Sequence, residues 1–287
     1  KIEHHAITHT LEELESQNVS IHYVKLQEKG NIDLDHLEYL LNLNDESKLV
    51  TLMYINNEIG NILDINKVSN LCQKYNSFFH SDAVQAVGHY KIDLKSLKID
   101  FMSSAGHKFH GPKGVGFTYI NNSTKIKSFI CGGPQERGLR AGTESVHNIV
   151  GMTKALEIAD KNMEKETLYV RSIKKYMIEN LSNLFPNIHF NGESGDMTNS
   201  TYTVLNVCFP ISNDKAAMLD FQLDLKGIAC SKGSACQSGS SEGSHVLSEI
   251  QNDLHKKLPS VRFSFSHNNN KEEVDYLIET LKEFINS

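Results

Sequence analysis

Apolar and polar positions along the chain follow two rhythms, one near two residues and one near three and a half. The first predicts strands over Asn18 to Leu26, Lys48 to Ile55, Ser77 to His80, Ile99 to Ser103 and Val115 to Ile120. The second predicts helices over Leu34 to Leu43, with Asp33 as N-cap, and over Asp64 to Tyr75, where Ile65, Val68, Leu71 and Cys72 share a face. Strands separated by helices imply parallel pairing through right-handed crossovers, hence an α/β fold with a mainly parallel sheet. Ligands in such sheets bind beyond the carboxyl ends of the strands. Asn57, Asp82, His107 and Lys108 sit at or just past those ends.

From Val146 to Leu184 the pattern is helical, amphipathic and rich in exposed charge. A new αβ unit follows. Asn187 to Phe190, Thr201 to Phe209 and Val261 to Phe265 read as strands, and Asp214 to Leu225 and Glu272 to Ile285 as helices. Ile228 to Ser231 is short and mostly apolar, and the Gly/Ser stretch from Lys232 to Gly243 predicts a flexible loop. A boundary near residue 163 divides a large domain, 1–163, from a smaller C-terminal α/β domain, 164–287.

Composition narrows the function classes. With 29 basic and 35 acidic residues the net charge is −6, which argues against broad binding of nucleic acid or of an anionic membrane. No apolar run approaches the ~18 residues needed to span a bilayer, and the first ten residues lack the apolar core of a signal peptide. The five cysteines form no CxxC pair, which fits a reducing, cytoplasmic compartment. The first residue is Lys rather than Met, so the expectation is an excerpt of a longer chain, from which an organelle-targeting segment could also be missing.

Four clusters carry candidate chemistry. Lys108 lies in a turn with Gly106, Gly111 and Gly114 after a strand: a solvated loop lysine, or an amine that loses its proton in a crowded pocket and forms a Schiff base. Asp82 ends an apolar strand, as a helix N-cap or as the partner of the pyridinium nitrogen of pyridoxal 5'-phosphate; Gln85, about one helical turn on, could bond the ring hydroxyl. Asn57 belongs to the run Asn56-Asn57-Glu58-Ile59-Gly60, a turn or a polar side chain over a ligand. Cys230 ends an apolar segment and reads as buried and inert, whereas Cys236 has small polar neighbours and reads as exposed.

His107-Lys108 followed by FHGPKG, with HSDAVQAVG upstream and GSACQSG downstream, resembles the class I cysteine desulfurases of the aminotransferase class V group. KIEHHAI, MYINNEIG, GGPQERGLRAGTESV and SVRFSFS extend the resemblance from the first residue to the last. The resemblance implies a fold-type I pyridoxal-phosphate transferase and assigns roles. Lys108 would hold the cofactor, Asp82 its ring nitrogen and Gln85 its ring oxygen; His4 would stack on the ring and shuttle protons, and His107 would touch the phosphate. Thr143 would reach the phosphate of a neighbouring subunit, implying a homodimer. Asn57 and Arg262 would hold the substrate carboxylate, a task suited to the planar guanidinium fork. Cys236 would be the nucleophile on a mobile loop, converting L-cysteine to L-alanine and passing persulfide sulfur to an acceptor such as an iron–sulfur scaffold protein.

Two departures stand out. Ala105 replaces a serine that bonds the phosphate in the family, and roughly a quarter of the family's length, with a Gly-Ala-Thr phosphate turn at a helix N-terminus, would precede Lys1. Rival readings are an aminotransferase or selenocysteine lyase of the same fold, and a truncated, non-catalytic paralogue. His5 and His9 are one helical turn apart, but the sequence offers no HExxH glutamate and no third ligand, so a solvated helix face is read there and no metal site is expected.

Overall fold

The computed structural model describes residues 1–231 and 243–286. In chain order it contains α1 (His5–Ser16), α2 (Leu34–Leu41), β1 (Leu49–Thr51), α3 (Ile65–Lys74), β2 (Phe78–Asp82), β3 (Phe101–Ala105), β4 (Gly116–Ile120), α4 (Val146–Leu184), β5 (His189–Phe190), β6 (Val204–Cys208), α5 (Asn213–Ala216), α6 (Leu219–Leu225), α7 (His245–Ile250), β7 (Ser260–Ser264) and α8 (Lys271–Asn286). Two compact units share these elements, one made of 41–54 and 64–163, the other of 1–40, 55–63 and 164–287. The sequence reading divided the chain once, near 163; the contacts group 1–40 and 55–63 with the C-terminal stretch instead. Hydrogen bonds account for that grouping: Asn56 Nδ2 donates to Ile2 O, Asn61 Nδ2 to Lys29 O and Asn206 Nδ2 to Glu58 O.

The first unit holds a four-stranded sheet in the order β1-β2-β3-β4. β1/β2 and β2/β3 are parallel, and β3/β4 is antiparallel. The parallel expectation fails at β4 because only a turn of 106–115 separates it from β3, too short for a helical crossover. α3 begins at Asp64, whose Oδ1 accepts from Lys67 N at 3.1 Å, and it buries Ile65, Val68 and Cys72. Phe79, Ile99, Met102 and Phe109 fill the core of this unit, each at most 2 % exposed.

The second unit is built on an antiparallel sheet, β5-β6-β7. All of β6 is buried, and Phe185 meets Phe209 edge-on at 5.5 Å. α4 and α8 bury Ile173, Met177 and Leu181, and Leu277 and Leu281; Tyr176 Oη donates to Asp275 Oδ1 at 2.7 Å and ties them together. Lys174 is completely buried on α4, where Nζ donates to Ser200 Oγ at 2.8 Å and Thr201 O at 2.6 Å. Burial pulls its pKa down to about 7.

Three sequence expectations are corrected. Asn18 to Leu26 forms no strand, only a bridge at Leu26, and its alternating side chains Val19 and Tyr23 stay exposed because no neighbouring strand pairs with the segment. The helix over Asp214 to Leu225 is two, because Met218 N turns back to Lys215 O and closes α5 before α6 starts. The short α7 was not anticipated, whereas α1 agrees with the helix face read at His5 and His9; its Ile7, Leu11 and Leu14 are only partly buried. Among the described residues no helix is long and apolar enough to cross a membrane.

Candidate active site

In the first unit the candidate residues gather where β2 and β3 end side by side. Asp82 and Ser103 are cross-strand partners, so Asp82, Ser103, His80 and Ala105 share one face of the sheet. Asp82 is 9 % exposed, and its Oδ1 accepts from Val84 N at 2.9 Å. No helix begins directly after Asp82, so the helix N-cap reading is corrected: the bond from Val84 N closes an Asx turn at the strand end. Gln85 follows, half-buried in the same turn.

His80 joins three strands beneath Asp82. Its Nδ1 lies 2.8 Å from Thr51 Oγ1 on β1, and its Nε2 3.0 Å from Ser103 Oγ on β3. Burial lowers its pKa against the opposing pull of Asp82. Sequence reading missed this histidine. Its signal was the polar position inside a short apolar strand, two residues before Asp82.

β3 runs into a 3-10 turn, Gly106–Phe109, that carries His107 and Lys108. Phe109 anchors the turn from inside at 1 % exposure, while Lys108 is exposed. His89 Nε2 lies 2.9 Å from Lys108 O and donates to it. Gly88 lets Phe109 approach: its φ is +81°, and a Cβ there would lie 2.5 Å from Phe109 Cβ. Desolvation, then the charges of Lys108 and Lys113, hold His107 below the usual imidazole range. Ser104 Oγ is buried without a partner among the described residues, but strand alternation puts it on the face opposite Ala105, so it does not replace the family serine. Thr143 lies exposed in the loop before α4. Arg140 organises that loop, donating to Ala141 O and Gly142 O at 3.0 and 2.8 Å and to Glu136 Oε1 at 3.2 Å.

The second unit brings together His4, Asn57 and Arg262. The turn at 56–60 closes through Asn56 Oδ1, which accepts from Glu58 N at 2.9 Å and Ile59 N at 3.1 Å, and through Gly60, whose φ of +72° suits the left-handed region. Arg262 Nη1 donates to Asn57 O at 3.0 Å and Nη2 to Ser231 Oγ at 3.3 Å. His4 caps α1, its Nδ1 accepting from Ala6 N at 3.1 Å. The residues before it are pinned by Asn56 Nδ2 on Ile2 O at 2.8 Å and by His245 Nε2 on Glu3 O at 2.9 Å. His245 also stacks near His5, with ring centroids 4.3 Å apart, and His9 follows at 4.8 Å from His5. No group of three metal-ligating side chains forms among the described residues. Cys236 lies outside the described residues.

This donor set fits pyridoxal 5'-phosphate in kind. A largely buried carboxylate suits a pyridinium nitrogen, a lysine on a glycine-flanked turn suits an aldehyde, and Lys108 and Lys113 make that turn cationic, as a phosphate requires.

Residues 1–277 match the model of the aminotransferase class-V family. The chain is 40% identical over 285 residues to a protein of Clostridium botulinum named cysteine desulfurase IscS, covering 99% of this chain and 70% of that one. It is 37% identical over 286 residues to a protein of the same name from Dictyoglomus turgidum, covering 99% and 71%. Among solved structures, a NifS-like protein superposes with a TM-score of 0.87 at 34% identity, covering 99% of this chain and 73% of that one. A NifS-like protein from Rickettsia africae superposes with a TM-score of 0.86 at 28% identity, covering 100% and 74%.

Proposed function

Because the chain belongs to the aminotransferase class-V family, we propose that it is a pyridoxal-phosphate-dependent cysteine desulfurase. The observation that carries this reading is the adjacency of Asp82 and the Lys108 turn beyond the ends of neighbouring parallel strands. Pyridoxal 5'-phosphate, when bound, supplies an electron sink that makes the substrate's Cα–H acidic and its C–S bond labile.

The chain's own residues do the rest. Lys108 holds the cofactor through Nζ and, once released, takes the Cα proton and returns it to carbon. Asp82 keeps a proton on the ring nitrogen with the oxygen that Val84 N does not occupy. Gln85 bonds the ring oxygen, His107 donates to the phosphate, and His4, whose Nδ1 accepts from Ala6 N, presents its ring and Nε2. Asn57 and Arg262 hold the L-cysteine carboxylate. The Cys236 thiolate forms an S–S bond to the substrate sulfur as the C–S bond breaks; the electron pair stays on carbon, which takes up protons and leaves as L-alanine. The persulfide on Cys236 is then the sulfur donor for an acceptor protein such as an iron–sulfur scaffold. Thr143, exposed on the Arg140-ordered loop, serves the phosphate of a second copy in a cytoplasmic homodimer.

The test is the visible spectrum of the chain with pyridoxal 5'-phosphate before and after L-cysteine, together with the mass of Cys236. A cofactor band that responds to cysteine, with alanine released and one sulfur added to Cys236, supports the reading. In Cys236→Ala the band is expected to persist and the added sulfur to vanish. A wild-type chain that binds the cofactor but leaves cysteine intact overturns the reading.

A further inference from the structure

The turn that carries Lys108 is held from outside itself. Gly106 O accepts both closing amides, His110 N and, at 2.9 Å, Gly111 N. That leaves Lys108 O, near the C-terminal end of the turn, to another donor. His110 ends the turn at φ +66°, a region that disfavours a residue with a side chain, so the local sequence does not fix this shape unaided. Two consecutive residues supply the hold. Gly88 admits Phe109, and His89 Nε2 donates to Lys108 O at 2.9 Å. A histidine side chain can close the last carbonyls of a helical turn in this way. Because the acceptor is a carbonyl, Nε2 carries a proton, and the bond persists whether the ring is neutral or cationic.

The stretch that ends at His89 begins at Asp82. Asp82 Oδ1 accepts from Val84 N at 2.9 Å, and Ala83 N donates to Ser103 O at 3.0 Å. Ala83 O accepts from Ala86 N and Val87 N at 2.9 and 3.0 Å. Ala86 O accepts from His89 N and Tyr90 N at 3.0 and 2.9 Å. Ala83, Ala86 and Val87 are buried. Backbone bonds and packing thus pin the run along its length, and Gln85 rides on it.

We infer that His89 is a positioning residue for Lys108: it ties the Lys108 carbonyl to the 82–89 stretch and so fixes the lysine relative to Asp82 and Gln85. The inference rests on the reading of Lys108 as the residue that holds pyridoxal 5'-phosphate. The ring nitrogen and the aldehyde of that compound lie at opposite ends of one rigid ring. The carboxylate that meets one and the amine that meets the other therefore need a fixed spacing. Lys108 is exposed, and its flexible four-carbon stem places the amine only as well as the backbone beneath it is placed.

The test uses the whole chain and compares wild type, His89→Leu and His89→Gln with two ligands. Pyridoxal 5'-phosphate bonds to a lysine amine. Pyridoxamine 5'-phosphate has an amine in place of the aldehyde and does not. Dissociation constants are measured by equilibrium dialysis, and amide hydrogen exchange at His110 and Gly111 is followed in cofactor-free protein. His89→Leu is expected to weaken pyridoxal 5'-phosphate roughly three- to tenfold, as for the loss of one hydrogen bond, and to speed exchange at both amides by a similar factor. Pyridoxamine 5'-phosphate is expected to stay within about twofold, because it makes no bond that depends on where Lys108 stands. His89→Gln keeps an N–H donor and is expected to restore both measurements. If His89→Leu does not fold, His89→Ala carries the same comparison. Equal weakening of the two ligands would make His89 a general support of the fold, and unchanged affinity for both would make its bond inconsequential; either overturns the positioning role. A wild-type chain in which borohydride fixes no pyridoxal 5'-phosphate to Lys108 overturns the cofactor reading itself, and the positioning role with it.

Discussion

Asn206 and Arg262 are cross-strand partners on β6 and β7, and each donates to one of two consecutive carbonyls: Asn206 to Glu58 O and Arg262 to Asn57 O, both at 3.0 Å. The sheet register thus sets where the turn lies. Arg262→Lys keeps the charge and loses the fork. KM for L-cysteine is expected to rise roughly ten- to hundredfold, equivalent to about 1.5–3 kcal/mol for a charged hydrogen bond, with the cofactor band retained. An unchanged KM would leave Arg262 with only its bonds to Asn57 and Ser231.

Asp82 combines an oxygen that closes an Asx turn with a candidate ring partner, and Asp82→Asn separates the two. Asparagine closes an Asx turn as aspartate does, so stability is expected to change little, by about 0.5 kcal/mol or less. Removing the negative charge is expected to abolish turnover while leaving thermal unfolding nearly unchanged. Equal losses in both measurements would assign Asp82 to structure alone.

Gly88→Ala attacks the Lys108 turn from beneath. An alanine at φ +81° carries a left-handed penalty of about 1–2 kcal/mol, and its Cβ would lie 2.5 Å from Phe109 Cβ. Phe109 has to move, and the turn with it. A lower melting temperature with weakened retention of pyridoxal 5'-phosphate in equilibrium dialysis is the expected result; unweakened retention would mean that Phe109 does not set the Lys108 turn.

Lys174 makes stability depend on alkaline pH. Its folded pKa of about 7 lies below the unfolded value of 10.5, so between the two the unfolded chain binds more protons and stability rises with pH. From about pH 7 to about pH 9 the gain is about 2 kcal/mol. Denaturant titrations at the two values should show it in wild type and lose it in Lys174→Met. A flat wild-type profile would mean that the ammonium stays charged within its Ser200 and Thr201 bonds.

Much of this architecture was legible in the residues. α4 spans the Val146 to Leu184 predicted from its pattern, and α3, β2 and β4 fall within a residue or two of their predicted spans, because each has an apolar period long enough to read. Asp82 and Lys108 stood out as candidates because polar residues at or just past strand ends contrast with apolar neighbours; Arg262, in the middle of β7, came from the resemblance alone. What escaped detection depends on tertiary partners. α7 is only six residues long, Asn18 to Leu26 alternates without a strand beside it, and β4 reverses because its connection is short. Glu58 and Asn206 were hidden for the same reason: the bond between them spans 148 positions of sequence. The lone polar residue in the apolar run of β6 was the available hint.

The row Thr51, His80, Ser103 crosses β1, β2 and β3 on the face that carries Asp82. Both hydroxyls can donate or accept, so a neutral imidazole between them has two tautomers with complete hydrogen bonding. Nitrogen chemical shifts of this one ring register the proton's location and would respond to a change of charge at Asp82. The protein therefore contains its own spectroscopic gauge, seated one strand position below the carboxylate and readable without any label attached to the site.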